Sequence, residues 1–213
     1  MLFVIGVRDL LSSLGVYKLP LGVYHVHKRS GAFRVTKSAK LFSPFTDLNS
    51  PLPLEFSIIM SVKCDSNFTG YIFALSELTG NQIFAIKLTQ KVASMSISVE
   101  YSTDSSNQAA SVDFEIPSKN STWQQYAISV ADDTLVLYYD CDKTVEKVFI
   151  RYRLSSVKGN LMMSIGPYFT QYGSQFEGAI EQLVIVKDAS YSSRQCSSKT
   201  SVSNLTSFQF VIR

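Results

Sequence analysis

Residues 123–141, W-Q-Q-Y-A-I-S-V-A-D-D-T-L-V-L-Y-Y-D-C, constrain this chain more than any other stretch. Side chains alternate between the faces of a strand. Tyr126, Ile128 and Val130 therefore share one side of a first arm, and Leu135, Leu137, Tyr139 and Cys141 one side of a second. Asp132-Asp133 between them can bend the chain tightly, because short acidic side chains bond their own backbone and tolerate the left-handed region. The pattern predicts a β-hairpin whose second arm ends in a cysteine followed at once by Asp142-Lys143.

The same alternation recurs along the chain. Residues 55–63 place Phe56, Ile58, Met60 and Val62 on one face, and 94–101 set Met95, Ile97, Val99 and Tyr101 against serine and glutamate. Residues 70–76 are almost continuously apolar, as a doubly covered strand would be. Residues 32–36 point Phe33 and Val35 inward and Arg34 outward. With 82–89, 112–116, 161–166 and 176–187, roughly ten strands fall at intervals of about eight to twelve residues. Asp9 to Leu14, stopped by Gly15, predicts a helical turn or two, and Asp188 a capped turn leading to Cys196. Residues 16–31 read as loop or irregular edge, and 43–53, with Pro44, Pro51 and Pro53, as a crossover. Fourteen Phe, eleven Tyr and a hydrophobic content of 46% favour strands over an aromatic-rich core. The expected fold is an all-β sandwich of two antiparallel sheets over residues 1–196, followed by a polar tail at 197–213.

Charge is unevenly placed. Residues 1–40 hold seven Lys/Arg against Asp9 alone, whereas the remainder holds thirteen against sixteen acids. Between Leu10 and Thr46 no acidic residue neutralises the cations, so Lys28, Arg29, Arg34, Lys37 and Lys40 are expected to form one polyanion-facing surface. Met1 to Val7 is apolar but stops at Arg8 and lacks a basic leader, and no apolar run approaches the roughly 20 residues that span a bilayer. Membrane insertion is therefore not expected.

Residues that carry chemistry are scarce. His25 and His27 have metal-compatible spacing but no third ligand near in sequence, so neither a metal nor a cofactor is expected. There is no G-x-S-x-G nucleophile elbow and no phosphate loop. Glu177 and Glu181 are the nearest carboxylate pair for glycoside hydrolysis, yet Glu181 alternates with Ile180 and Gln182 as a solvent-facing residue does. Asp132, Asp133, Asp140 and Asp142 cluster as calcium ligands of a lectin would, and turn formation explains them as readily. Cys141 and Cys196, at a strand end and at the last structured turn, read either as a bridge or as two buried thiols. Their polar neighbours favour the bridge, and Cys64 is left without a partner. Sequons stand at Asn67, Asn120 and Asn204.

Taken in order, W-x-x-Y-A-I-S-V, L-x-x-D-C-D-K, F-E-G-A-I-E-Q-L-V-I and a closing cysteine resemble the thrombospondin N-terminal-type laminin G-like domain. This is the module at the amino terminus of thrombospondins and of fibrillar V/XI, FACIT and multiplexin XV/XVIII collagens. The run from Ala32 to Leu41 followed by E-F-S-I-I-M-S-V-K is similar to the start of that module, and the resemblance covers about residues 8–196. It implies a concanavalin A-like jelly roll with short terminal helical turns and a Cys141–Cys196 disulfide. It also implies secretion into extracellular matrix, with a signal segment ahead of this sequence. The implied function is non-catalytic, with heparan sulfate or heparin and matrix proteins as partners rather than nucleic acid, and trimerisation only through a collagenous region outside the chain. Neutral-sugar binding and a purely structural collagen cap are the alternatives. Because the core pattern is complete without a metal, chelation with EDTA is expected to leave the melting temperature unchanged. A fall of many degrees would reveal an unrecognised site.

Overall fold

The computed structural model describes residues 6–27, 29, 31–45, 52–102, 109–117, 121–141, 143–149, 160–167 and 174–194. Its strands are β1 (Val7–Asp9), β2 (Val23–His25), β3 (Phe33–Val35), β4 (Leu41–Pro44), β5 (Phe56–Cys64), β6 (Phe68–Glu77) and β7 (Gln82–Gln90). They continue with β8 (Ser94–Ser102), β9 (Ala109–Pro117), β10 (Gln124–Ala131), β11 (Thr134–Tyr139), β12 (Lys143–Val148), β13 (Leu161–Ile165) and β14 (Gly178–Val186). One sheet runs β12-β11-β10-β5-β14-β3-β2, with β1 joining β14 beyond the end of β3; the other runs β4-β13-β6-β7-β8-β9. Neighbouring strands in both sheets are antiparallel, and the central pair β5 and β14 comes from opposite halves of the chain. This is a β-sandwich, as the alternating pattern predicts, with the jelly-roll arrangement that the family resemblance implies. No helix among the described residues is long and apolar enough to cross a membrane.

The core sits where the inward sets of the two sheets meet. Phe56, Ile58, Met60 and Val62 of β5 are fully buried, as are Met95, Ile97 and Val99 of β8. Aromatic pairs lock the layers edge-on: Phe56 to Phe84 with centroids 5.7 Å apart, Phe68 to Phe176 at 5.3 Å and Tyr101 to Phe149 at 5.2 Å. Such pairs add about 0.5–1.5 kcal/mol each beyond their buried area. The hairpin forms as predicted. Ala131 pairs with Thr134 across Asp132-Asp133, and Asp132 adopts a left-handed φ of 44°. Helix α1 (Leu10–Ser13) is capped by Asp9, whose Oδ1 accepts from the amides of Leu11 (2.9 Å) and Ser12 (3.2 Å). Gly15, at φ 70°, ends the segment.

Three strands lie where the sequence reads as loop. β2 falls within 16–31, and β4 starts at Leu41 and runs into the beginning of the 43–53 crossover. β12 follows the hairpin at K-T-V-E-K-V, where no strand is expected. All three are edge strands, short or largely exposed, so the apolar alternation that marks a covered strand is absent. Pro44 is tolerated in β4 because an edge strand leaves one row of donors unused.

The outer face of the larger sheet is also buried at its centre. A 3-10 helix (Ala189–Arg194) lies over Ser57, Ile59, Ala127 and Ser129, which the alternation would leave to solvent. Ser57 holds it there. Its Oγ donates toward the carbonyls of Asp188 (2.6 Å) and Ala189 (3.0 Å), and accepts from the Ser192 amide (3.0 Å) and hydroxyl (2.7 Å). Ser129 Oγ adds a bond of 2.9 Å to the Ala189 carbonyl. Because a buried donor left without a partner costs its full desolvation penalty, Ser57→Ala is expected to lower stability by about 1–3 kcal/mol. Amide exchange should accelerate first over residues 189–194. A urea midpoint equal to wild type would show that the helix is held by packing alone.

Candidate functional site

The cleft begins with a flaw in a strand. β14 pairs regularly with β5 until Ile180, then slips by one residue before Gln182 meets Ser61. The extra residue is Glu181. A bulge of this kind turns a side chain out of register, and here Ile180 and Leu183 both stay in the core while Glu181 points outward. Arg29, in the middle of the β2–β3 connection, meets it with a fork: Nε to Oε1 at 2.9 Å and Nη2 to Oε2 at 2.6 Å. Ser61 Oγ donates to the same carboxylate at 3.1 Å. Arg29 in turn lies over the indole of Trp123, 4.1 Å from the ring centroid.

Arg29, Ser61 and Trp123 form one side of a cleft of about 780 Å³, completed by Pro117, Thr122, Gln124, Gln125, Asp140, Cys141 and Lys143. Tyr126 donates its hydroxyl to Gln124 Oε1 and so orients that amide. Lys143 Nζ bonds Asp140 at 3.1 Å and sits 5.7 Å above the Tyr139 ring. The charges therefore close on themselves: Arg29 against Glu181, Lys143 against Asp140. The cleft is thus lined by one aromatic ring, which Arg29 covers on one face, two carboxamides and a hydroxyl.

The predicted basic face is reorganised by the fold. Arg34 is bidentate with Asp65, its Nη1 bond measuring 2.8 Å, and Lys37 reaches Glu177 at 3.4 Å. With Arg29 on Glu181, three of the five cations predicted as one surface meet acids from distant parts of the chain, and Lys28 lies outside the described residues. Lys40 is exposed. The expectation that nothing neutralises this region holds along the sequence and fails in space. The reading of Glu181 as an ordinary solvent-facing residue is likewise corrected. Hydrogen bonds from Arg29 hold its carboxyl below the usual range; burial opposes this, and the Arg29 charge and the Ser61 bond reinforce it.

Glu177 lines a separate cleft of about 760 Å³ with Lys37, Asp65, Asn67 and Gln175, so the two glutamates do not face a common substrate. The aspartates do not converge either. Asp132 and Asp133 form one end of the hairpin and Asp140 the other, roughly 20 Å apart along β11 at the usual rise, and Asp142 lies outside the described residues. His25 and His27 are exposed, and among the described residues no third potential ligand joins them. Cys64 is a free thiol at the buried end of β5, pushed up to about 12 by burial and by Asp65, and so is kept protonated and unreactive. Cys141 is disulfide-bonded; Cys196, Asn120 and Asn204 lie outside the described residues. Asn67 is exposed in the β5–β6 turn at a left-handed φ of 53°.

No protein-family model matches the chain. Among solved structures it is similar to the CBM40 module of the Ruminococcus gnavus IT-sialidase bound to α2,3-sialyllactose. That match has a TM-score of 0.51 and 15% identity over 64% of this chain and 77% of that one. It is also similar to mouse laminin α1 domains LG4-5, with a TM-score of 0.54 and 11% identity over 74% and 42%. The binding domain of botulinum neurotoxin DC, in complex with rat synaptotagmin II, matches with a TM-score of 0.55 and 12% identity over 97% and 47%. The chain spans less than half the length of the laminin and neurotoxin structures. At these identities the likeness is one of fold, a laminin G-like jelly roll.

The Arg29–Glu181 pair makes stability depend on pH with a definite sign. A carboxyl whose pKa falls on folding stabilises the protein fully above its unfolded value, about 4.3, and ceases to do so as pH drops through its lower folded value. The stability gap between wild type and Glu181→Gln, read from urea midpoints, is expected to be constant near neutrality. It should shrink through the acid range below about pH 4. A gap independent of pH would show that the carboxylate charge contributes nothing.

Proposed function

We propose that the chain is a non-catalytic carbohydrate-recognition module that seats a neutral or singly charged glycan in the Trp123 cleft. The observation that carries this reading is the cleft's composition. Trp123, with Arg29 over one face of its ring, supplies an apolar, polarisable wall beside Gln124, Gln125 and Thr122, while the cleft's cations are already matched by Glu181 and Asp140. Sugars offer just these two handles, a face of C–H groups and a rim of hydroxyls, and need no net charge. The bacterial module of like fold holds sialyllactose, which supports the class of ligand. A single-step hydrolase is disfavoured because Glu181 is locked to Arg29 and Glu177 belongs to another cleft.

Heparan sulfate is the second reading, favoured by the excess of cations in residues 1–40. On that reading the ligand competes for Arg29, Arg34 and Lys37 with their carboxylate partners and draws on Lys28 and Lys40. The wider setting we propose is the amino-terminal module of a secreted, collagen-like matrix protein, with Cys141 bridged to Cys196 and N-glycans at Asn67, Asn120 and Asn204. Residues 197–213 would be a polar tail.

A glycan array followed by titration of the best hit against wild type and Trp123→Ala tests the first reading. Loss of the ring is expected to weaken binding about tenfold or more, with little dependence on salt. Equal affinity for both proteins would place the site elsewhere. Binding confined to heparin, falling steeply with salt and lost in Arg34→Ala, Lys37→Ala, would establish the second reading instead.

A further inference from the structure

We propose that the turn at residues 19–22 and the adjoining edge strand β2 form a docking surface for an anionic lipid bilayer. Four large apolar side chains left exposed fall within residues 17–24: Tyr17, Leu19, Leu21 and Tyr24. The Val23 amide donates to the Pro20 carbonyl at 2.9 Å and closes a turn with Leu21 at its tip, 81% exposed. Gly22 allows the turn at φ 84°, and any side chain there would strike the Ala39 amide, 2.5 Å from the position of a Cβ. Leu19 occupies the left-handed region at φ 52°. A branched apolar residue adopts that conformation only at a cost in energy, and such strain concentrates at functional surfaces.

Two lysines flank this tip, and the nearest acids lie behind it, Asp9 accepting from the Tyr17 hydroxyl at 2.8 Å and Asp65 paired with Arg34. Lys18 flanks it in sequence. Lys40 follows the 36–39 turn, whose Thr36 amide bonds the Gly22 carbonyl at 3.0 Å. Both lysines are exposed, neither is in an ion pair among the described residues, and residues 10–45 contain no Asp or Glu. A protruding apolar tip flanked by two lysines complements the interface of an anionic membrane. Leucine enters the boundary between headgroups and acyl chains, tyrosines settle at headgroup depth, and lysine stems bend back to the phosphates. None of these side chains lines either cleft. The docking is interfacial and involves no spanning segment.

Co-sedimentation with vesicles of phosphatidylcholine alone, and of phosphatidylcholine mixed with phosphatidylserine, tests this directly. Wild type is expected to partition to the anionic vesicles only, with binding that weakens as salt is raised. Lys18→Gln, Lys40→Gln should reduce partitioning by about fivefold per lysine, and Leu21→Ser, Tyr24→Ser by about tenfold or more. Both apolar positions are exposed, so the melting temperature should not change; if it does, Leu21→Ser alone decides. Equal binding to both vesicle types, or no effect of the Leu21 change, overturns the proposal. Self-association of the protein without vesicles, abolished by Leu21→Ser, also overturns it by assigning the surface to a second copy of the chain.

Discussion

Every other feature of this sandwich is arranged around the ladder between β5 and β14. Both strands run through the centre of the larger sheet, and both of their faces are covered over much of their length. A strand in that position has no water to satisfy its backbone, so its amides and carbonyls must find partners across the ladder. The requirement fixes the register of strands from opposite ends of the chain. It also means that an extra residue can only be expelled sideways, and the bulge at Glu181 is where that happens. One misfit in a central ladder thereby supplies the carboxylate that orients Arg29, and Arg29 in turn lies across Trp123.

Electrostatics follow from the same geometry. Each partner in the Arg29–Glu181, Arg34–Asp65 and Lys37–Glu177 pairs keeps 29% or more of its side chain exposed. Pairs so open to solvent contribute little to stability. Their effect is on the field: a cationic amino-terminal stretch becomes a mixed surface, and the Trp123 cleft becomes close to neutral. Unmatched positive charge is left at Lys18 and Lys40, beside the exposed leucines and tyrosines. Two surfaces of different chemistry result, a polar cleft suited to hydroxyl-rich ligands and an apolar tip suited to an interface.

Much of the site was written in the sequence in a form that alternation alone does not decode. Ile180 and Leu183, three apart in a run that otherwise repeats every two residues, mark the bulge, yet the same spacing also suits a strand that ends early. Trp123 stands out as the single tryptophan, at the foot of a hairpin, but its partner Arg29 lies in a distant loop. Arg34 and Lys37 read as free because their acids come from the β5–β6 turn and from the residue just before β14, and short-range charge counting is blind to contacts made by folding.

Sequence by itself determined the class of fold, the hairpin with its Asp-Asp turn, and the inward residues of the covered strands. Those depend on local backbone geometry and a period of two, which any stretch of chain carries within itself. The edge strands β2, β4 and β12, the burial of Ser57 and Ser61, and the neutralisation of the cleft were decided only by tertiary structure. Each depends on which distant segment is laid alongside. Solvent that a strand would meet on its own is replaced by a helix or a carboxylate, and that replacement decides whether a serine is a surface residue or a buried anchor.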